Sequence, residues 1–125
     1  MRKIKVMLAS RPKLLSEVIR NFINHQPDMT VVGEVFDPLQ LLLAFEQTPV
    51  DVVIITPLNA NGEPKICHRL LAEHPQLKIV TQSAKGEAAY LYQSGEQKKR
   101  IDKPSGKSIL VAIRQALKLV GSLLL

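Results

Sequence analysis

Cysteine occurs once in these 125 residues, tryptophan not at all, and aromatic side chains make up only 4%. With Cys67 alone there is no internal disulfide and no zinc site built from paired cysteines, and the chain fits a reducing, cytoplasmic setting. Long apolar runs are also missing. The basic opening leads into residues 6–9 and then Ser10, too short for the apolar part of a signal peptide. No stretch approaches the roughly 18 apolar residues of a membrane span.

What remains is a chain that is 46% apolar and 22% charged, long enough to bury roughly two-thirds of its unfolded surface without staples. One domain over residues 1–121 is expected, with 122–125 as a tail or the start of a linker. Seventeen Lys and Arg against eleven Asp and Glu give a formal charge of +6, concentrated at the two ends. Arg2, Lys3, Lys5, Arg11, Lys13 and Arg20 crowd the start, and Lys98, Lys99, Arg100, Lys103, Lys107, Arg114 and Lys118 the end. The second group lacks the interleaved aromatics of a single-strand binder and has no helix-turn-helix, so direct nucleic-acid binding is not expected, and the group reads either as a solvated basic face or as the surface for an acidic protein partner.

Residues 3–9 read as a strand, and Leu14, Leu15, Val18, Ile19, Phe22 and Ile23 then recur at helical spacing behind Pro12. A β-branched run at 30–35 follows. Asp37 and Pro38 open a helix carried by Leu39, Leu42, Leu43 and Phe45, and the run at 50–56 is a central strand covered on both faces. A turn-rich loop at 57–63 precedes a helix from Pro64 to about His74 and a strand at 77–81. Composition gives a short helix at 87–92, a turn at Ser94-Gly95 and a marginal strand at 99–102. Ser105 caps a final helix whose Ile109, Ala112, Ile113, Ala116, Leu117 and Val120 share one face.

Alternating strands and helices build a parallel sheet between helical layers. The expectation is a flavodoxin-like (βα)5 three-layer sandwich with a five-stranded parallel sheet of order 2-1-3-4-5. Ligands in such folds bind at the carboxyl ends of the strands, which here are Ser10-Arg11, Thr56, residues 81–84 and Asp102-Lys103-Pro104.

At these positions the sequence resembles the receiver domain of bacterial two-component response regulators. The matching pieces are residues 4–9, 27–34, 49–55 and 74–80, with Lys103-Pro104 leading to Ala112-Ile113-Arg114. Residues 27–34 are most similar to the subfamily in which a helix-turn-helix domain follows. The resemblance implies two acidic residues after the first strand that hold magnesium and an aspartate at the end of the third that accepts a phosphoryl group. Ser10 and Arg11 occupy the metal positions and Thr56 the acceptor position. Ser83 and Lys103 match the family's hydroxyl and lysine that contact the phosphoryl group, whereas Lys98, Lys99 and Arg100 stand where its aromatic switch residue is expected. Replacing three carboxylates in this way moves the pocket from about −3 to about +1, which removes the divalent-cation site and with it phosphotransfer.

The expectation is therefore a pseudo-receiver: a signalling module without catalysis or cofactor that acts by protein contact and dimerises. Lys98, Lys99, Arg100, Lys107, Arg114 and Lys118 form its partner surface. Two alternatives stand beside it: the regulatory domain of a DNA-binding transcription regulator, and a small-anion sensor using Arg11, Thr56, Ser83 and Lys103. Cys67 reads as a small core residue, since His68 is turned about 100° from the helix face that Cys67 and His74 share. Gly106-Lys107-Ser108 lacks the upstream glycine and strand of a phosphate loop. Leu123, Leu124 and Leu125 suggest a dimer contact or a continuing chain.

Overall fold

The β-branched runs pair into one sheet. A computed structural model describes residues 3–10, 13–35, 38–56, 65–83, 88–102 and 105–123, the side chains at 38, 39 and 118–123 excepted. Chain order is β1 (Ile4–Ala9), α1 (Lys13–Asn24), β2 (Met29–Glu34), α2 (Pro38–Gln47), β3 (Val52–Ile55), α3 (Lys65–Glu73) and β4 (Lys78–Gln82). Then come β5 (Ala89–Tyr92), β6 (Lys99–Arg100) and α4 (Gly106–Leu123).

The sheet order is β2-β1-β3-β4-β5-β6. Its first four strands are parallel, as the alternating pattern predicts. Alternate side chains of each strand enter opposite cores. Val6, Leu8, Val52, Ile54 and Val80 meet Ile23 of α1 and Ile109, Leu110 and Ile113 of α4 on one face. Met7, Val53, Ile55 and Ile79 meet Leu41 and Phe45 of α2 and Cys67 and Leu70 of α3 on the other. The doubly covered, flavodoxin-like arrangement is thus in place.

The distal end of the sheet corrects two expectations. Residues 89–92 are not helical but form β5, antiparallel to β4, and β6 runs antiparallel to β5. The sheet therefore has six strands in mixed directions rather than five parallel ones. The sequence Ala-Tyr-Leu-Tyr alternates: Ala89 and Leu91 enter the α1/α4 core, Tyr90 and Tyr92 the other. Aromatic residues fit a pleated, half-covered surface better than a helix turn. Two turns fix the ribbon. Ser83 and Ala88 are bonded across the first, and Gly95 in the second takes φ 77°, with the Glu96 N–H donating to the Gln93 carbonyl. That φ suits the third position of a type II turn and favours glycine.

Helical phase was only partly legible. On α1 Ile23 is buried, whereas Leu14, Val18 and Phe22 are exposed. On α2 Leu41 and Phe45 are buried and Leu43 faces solvent. A nearly all-apolar helix has no preferred face of its own, so the sheet selects one.

The start of α4 is closed by Ser105 and Ser108, each accepting the other's backbone N–H at 3.2 and 2.8 Å respectively. This is a reciprocal capping arrangement with serine in place of the usual glutamate. Farther along α4, the Arg114 guanidinium donates to both Asp28 carboxylate oxygens at 2.8 and 2.7 Å and to Gln26 at 3.1 Å. The hydrogen bond to Asp28 raises the Arg114 pKa above its ordinary value, against the lowering effect of desolvation. The fork joins residues 86 apart in sequence. It ties α4 to the turn before β2. Among the described residues no helix is long and apolar enough to cross a membrane.

Candidate functional site

Ala9 lies opposite Ile55 in the parallel ladder, and the Thr56 N–H donates to the Ala9 carbonyl at 3.2 Å. Ser10 and Thr56 are the next pair beyond these strands, at a strand separation of about 4.8 Å. Alternation carries both toward the face that Leu8 and Ile54 share. Ser10 is 0% and Thr56 8% exposed, and among the described residues neither hydroxyl has a hydrogen-bond partner.

Two neutral, buried hydroxyls thus stand where the resemblance implies carboxylates. Each unmade bond costs about 1–3 kcal/mol, because the hydroxyl gave up water on folding. Ser10→Ala and Thr56→Val are therefore each expected to raise stability by about 1 kcal/mol, read as a higher urea midpoint at an unchanged slope. A lower midpoint would mean that the hydroxyl is bonded in solution.

The nearest carboxylate in strand order, Glu34 at the end of β2, is already engaged. It accepts from the Ser16 hydroxyl at 2.9 Å and from Arg20 at 3.0 Å. Ser16 is completely buried on α1, so this contact also fixes α1 against β2. Among the described residues no group of three His, Cys, Asp or Glu side chains is placed to hold a metal ion.

Ser83 has a structural task that the sequence reading did not assign. Its N–H donates to the Ala88 carbonyl at 2.9 Å, and its hydroxyl accepts the Ala88 N–H at 3.2 Å. It closes the β4–β5 turn. Arg11 and Lys103 lie outside the described residues, as do residues 57–64. The strand that leads toward Lys103 is β6, three places from β3, or about 14 Å at ordinary strand spacing. A five-stranded order would have put it one place closer.

Cys67 is fully buried, as expected of a small core residue. His74 packs its ring against Phe45 at 5.1 Å, and His68 is exposed. Of the basic surface, Lys98, Lys99, Arg100 and Lys107 are exposed. The Lys98 ammonium lies 4.9 Å from the centre of the Tyr90 ring. Arg114 is tied to Asp28, and the Lys118 side chain, with those of Leu123, Leu124 and Leu125, lies outside the description.

A doubly wound sheet with buried hydroxyls at the carboxyl ends of β1 and β3 defines the class of the domain. Comparison with known proteins narrows it. No model of a protein family matches the chain. Over 53 residues it is 42% identical to a protein-glutamate methylesterase/protein-glutamine glutaminase of Thiobacillus denitrificans, and that stretch is 42% of this chain but only 15% of the relative. The crystal structure of the signal receiver domain of an HD domain-containing protein from Pseudomonas fluorescens superposes with a TM-score of 0.70 at 18% identity. That match covers 97% of this chain and 99% of the other. The chain has the fold of a signal receiver domain.

Proposed function

We propose that the chain is a cytoplasmic signalling module of the receiver fold that has lost phosphotransfer and acts by phosphorylation-independent protein contact. The supporting observation is the Ser10 and Thr56 pair, neutral, buried and unbonded among the described residues, at positions where the resemblance implies carboxylates. Without carboxylates there, a hard divalent cation has nothing to bridge to an incoming phosphoryl group. The module is then a binding domain and not an enzyme. Its partner surface is the basic distal end with Lys98, Lys99, Arg100 and Lys107, which suits an acidic protein. Leu14 and Val18, exposed on α1, support the homodimer expected from the sequence.

The test is a backbone amide spectrum with and without Mg²⁺ and beryllofluoride, a mimic of a phosphorylated aspartate. No movement at Ser10, Thr56 and Ser83 is the expected result. Shifts there would show that an acceptor and a metal site persist.

Two further readings each rest on one observation. The match to only 15% of a larger relative fits a segment of a longer protein, and the resemblance of residues 27–34, not this match, is what suggests a DNA-binding transcription regulator. A helix-turn-helix in the same reading frame would decide for it. The Thr56 hydroxyl, unbonded among the described residues, fits a small-anion sensor using Arg11, Thr56, Ser83 and Lys103. Phosphate titration followed at the Thr56 amide tests that.

A further inference from the structure

Resting on the reading that this domain works by protein contact, we propose that the outer edge of β6 receives an extended acidic segment of a partner protein as an additional strand. The hairpin β5–β6 ends the six-stranded sheet, so β6 is an edge. The Ile101 N–H donates to the Ala89 carbonyl at 2.9 Å, and Leu91 faces Lys99 in the same register. In an antiparallel ladder, bonded and outward-facing residues alternate, so the N–H and C=O of Arg100 point away from β5. They are the donor and acceptor that a further strand would use.

Charge selects the occupant. Lys98, Lys99 and Arg100 are consecutive and exposed, three cations flanked two places away on either side by one acidic residue, Glu96 and Asp102. A second copy laid edge to edge would set these cations against their own counterparts, whereas an acidic segment neutralises them. Shape supplies the other half. Between this edge and α4 lies a groove of about 540 Å³ with Leu91 and Ile101 at its floor and Val111 and Ala112 along its wall. Val111 is 49% exposed, an apolar side chain with no cover on its outer side. Strand periodicity then sets the partner pattern: apolar side chains on the face that Leu91 and Lys99 share, acidic ones on the face of Tyr90 and Arg100.

The probe is a short capped peptide alternating valine and glutamate, titrated into the whole chain and followed by amide spectra and hydrogen exchange. The expected result is shifts at Leu91, Lys99, Arg100 and Val111 with slowed exchange of the Arg100 N–H, and none with the peptide carrying lysine for glutamate. Arg100→Pro removes the outward donor and should weaken binding about five- to tenfold, the worth of roughly one hydrogen bond. Protection of the Ile101 amide shows that the hairpin remains intact. Arg100→Glu keeps the backbone donor and should transfer preference to the lysine peptide. Shifts on α4 without Arg100 protection would overturn strand pairing and leave the protein-contact reading standing. Binding unaffected by Arg100→Pro, concentration-dependent protection of Arg100 in the free protein, or displacement of the peptide by a DNA duplex would each overturn the proposal. Beryllofluoride shifts at Ser10 and Thr56 would instead defeat the underlying reading, independently of the peptide result.

Discussion

Thr56→Asp, which places a carboxylate at the end of β3, is expected to destabilise the domain at neutral pH by about 2–4 kcal/mol without making it a phosphoacceptor. Thr56 is 8% exposed, and Ser10 beside it contributes no charge. A carboxylate placed there loses hydration, so its pKa rises above the unfolded value of about 3.9. The sign of the pH dependence follows. Below the unfolded pKa the aspartate is neutral in both states and the charge penalty is absent. As pH rises the unfolded state ionises first, and the penalty grows by about 1.4 kcal/mol per pH unit until the folded pKa is reached. Denaturation of Thr56→Asp and parent side by side at several pH values measures this gap. A gap that shrinks as pH rises would show a cation within reach of position 56 and would favour the anion-sensor reading.

Ile113→Ala is expected to cost about 2–5 kcal/mol, a large share of the 5–15 kcal/mol typical of a whole domain. Ile113 is 0% exposed and shares one buried cluster with Val80, Leu91 and Ile101, so it joins α4 to the distal strands. Truncation leaves a cavity that the surrounding sheet cannot close. Calorimetry should show a lower melting temperature. A loss below about 1 kcal/mol, the cost expected of a site that can collapse, would mean that α4 packs less tightly on this face than the buried cluster implies.

The candidate site was legible in residue identity and obscure in neighbourhood. Strand-end positions name Ser10 and Thr56 as soon as the alternating pattern is recognised, and neither side chain is a carboxylate. The lack of partners for both hydroxyls is a different kind of fact. It depends on what the facing elements offer, and sequence spacing does not encode that. Glu34 makes the same point: as a strand-end carboxylate it looks available, but Ser16 and Arg20 converge on it from α1. Arg114 counted in the sequence as one more cation of a basic surface. Its position on α4 opposite the turn before β2 commits it to Asp28.

By itself the sequence determined the alternation of strand and helix, the parallel order of the first four strands, and the absence of a carboxylate at Ser10 and Thr56. These follow from side-chain period and residue type, which are local properties. Tertiary structure decided the distal end, where four residues with weak intrinsic preference became a strand because β4 offered an unpaired edge and Ser83 and Gly95 permitted the two turns. It also decided which half of the apolar arc of α1 is buried, since a helix cannot choose its own phase against a sheet it has not yet met. Short segments near the helix–strand balance take their state from backbone groups left to satisfy nearby, and only the assembled sheet supplies those.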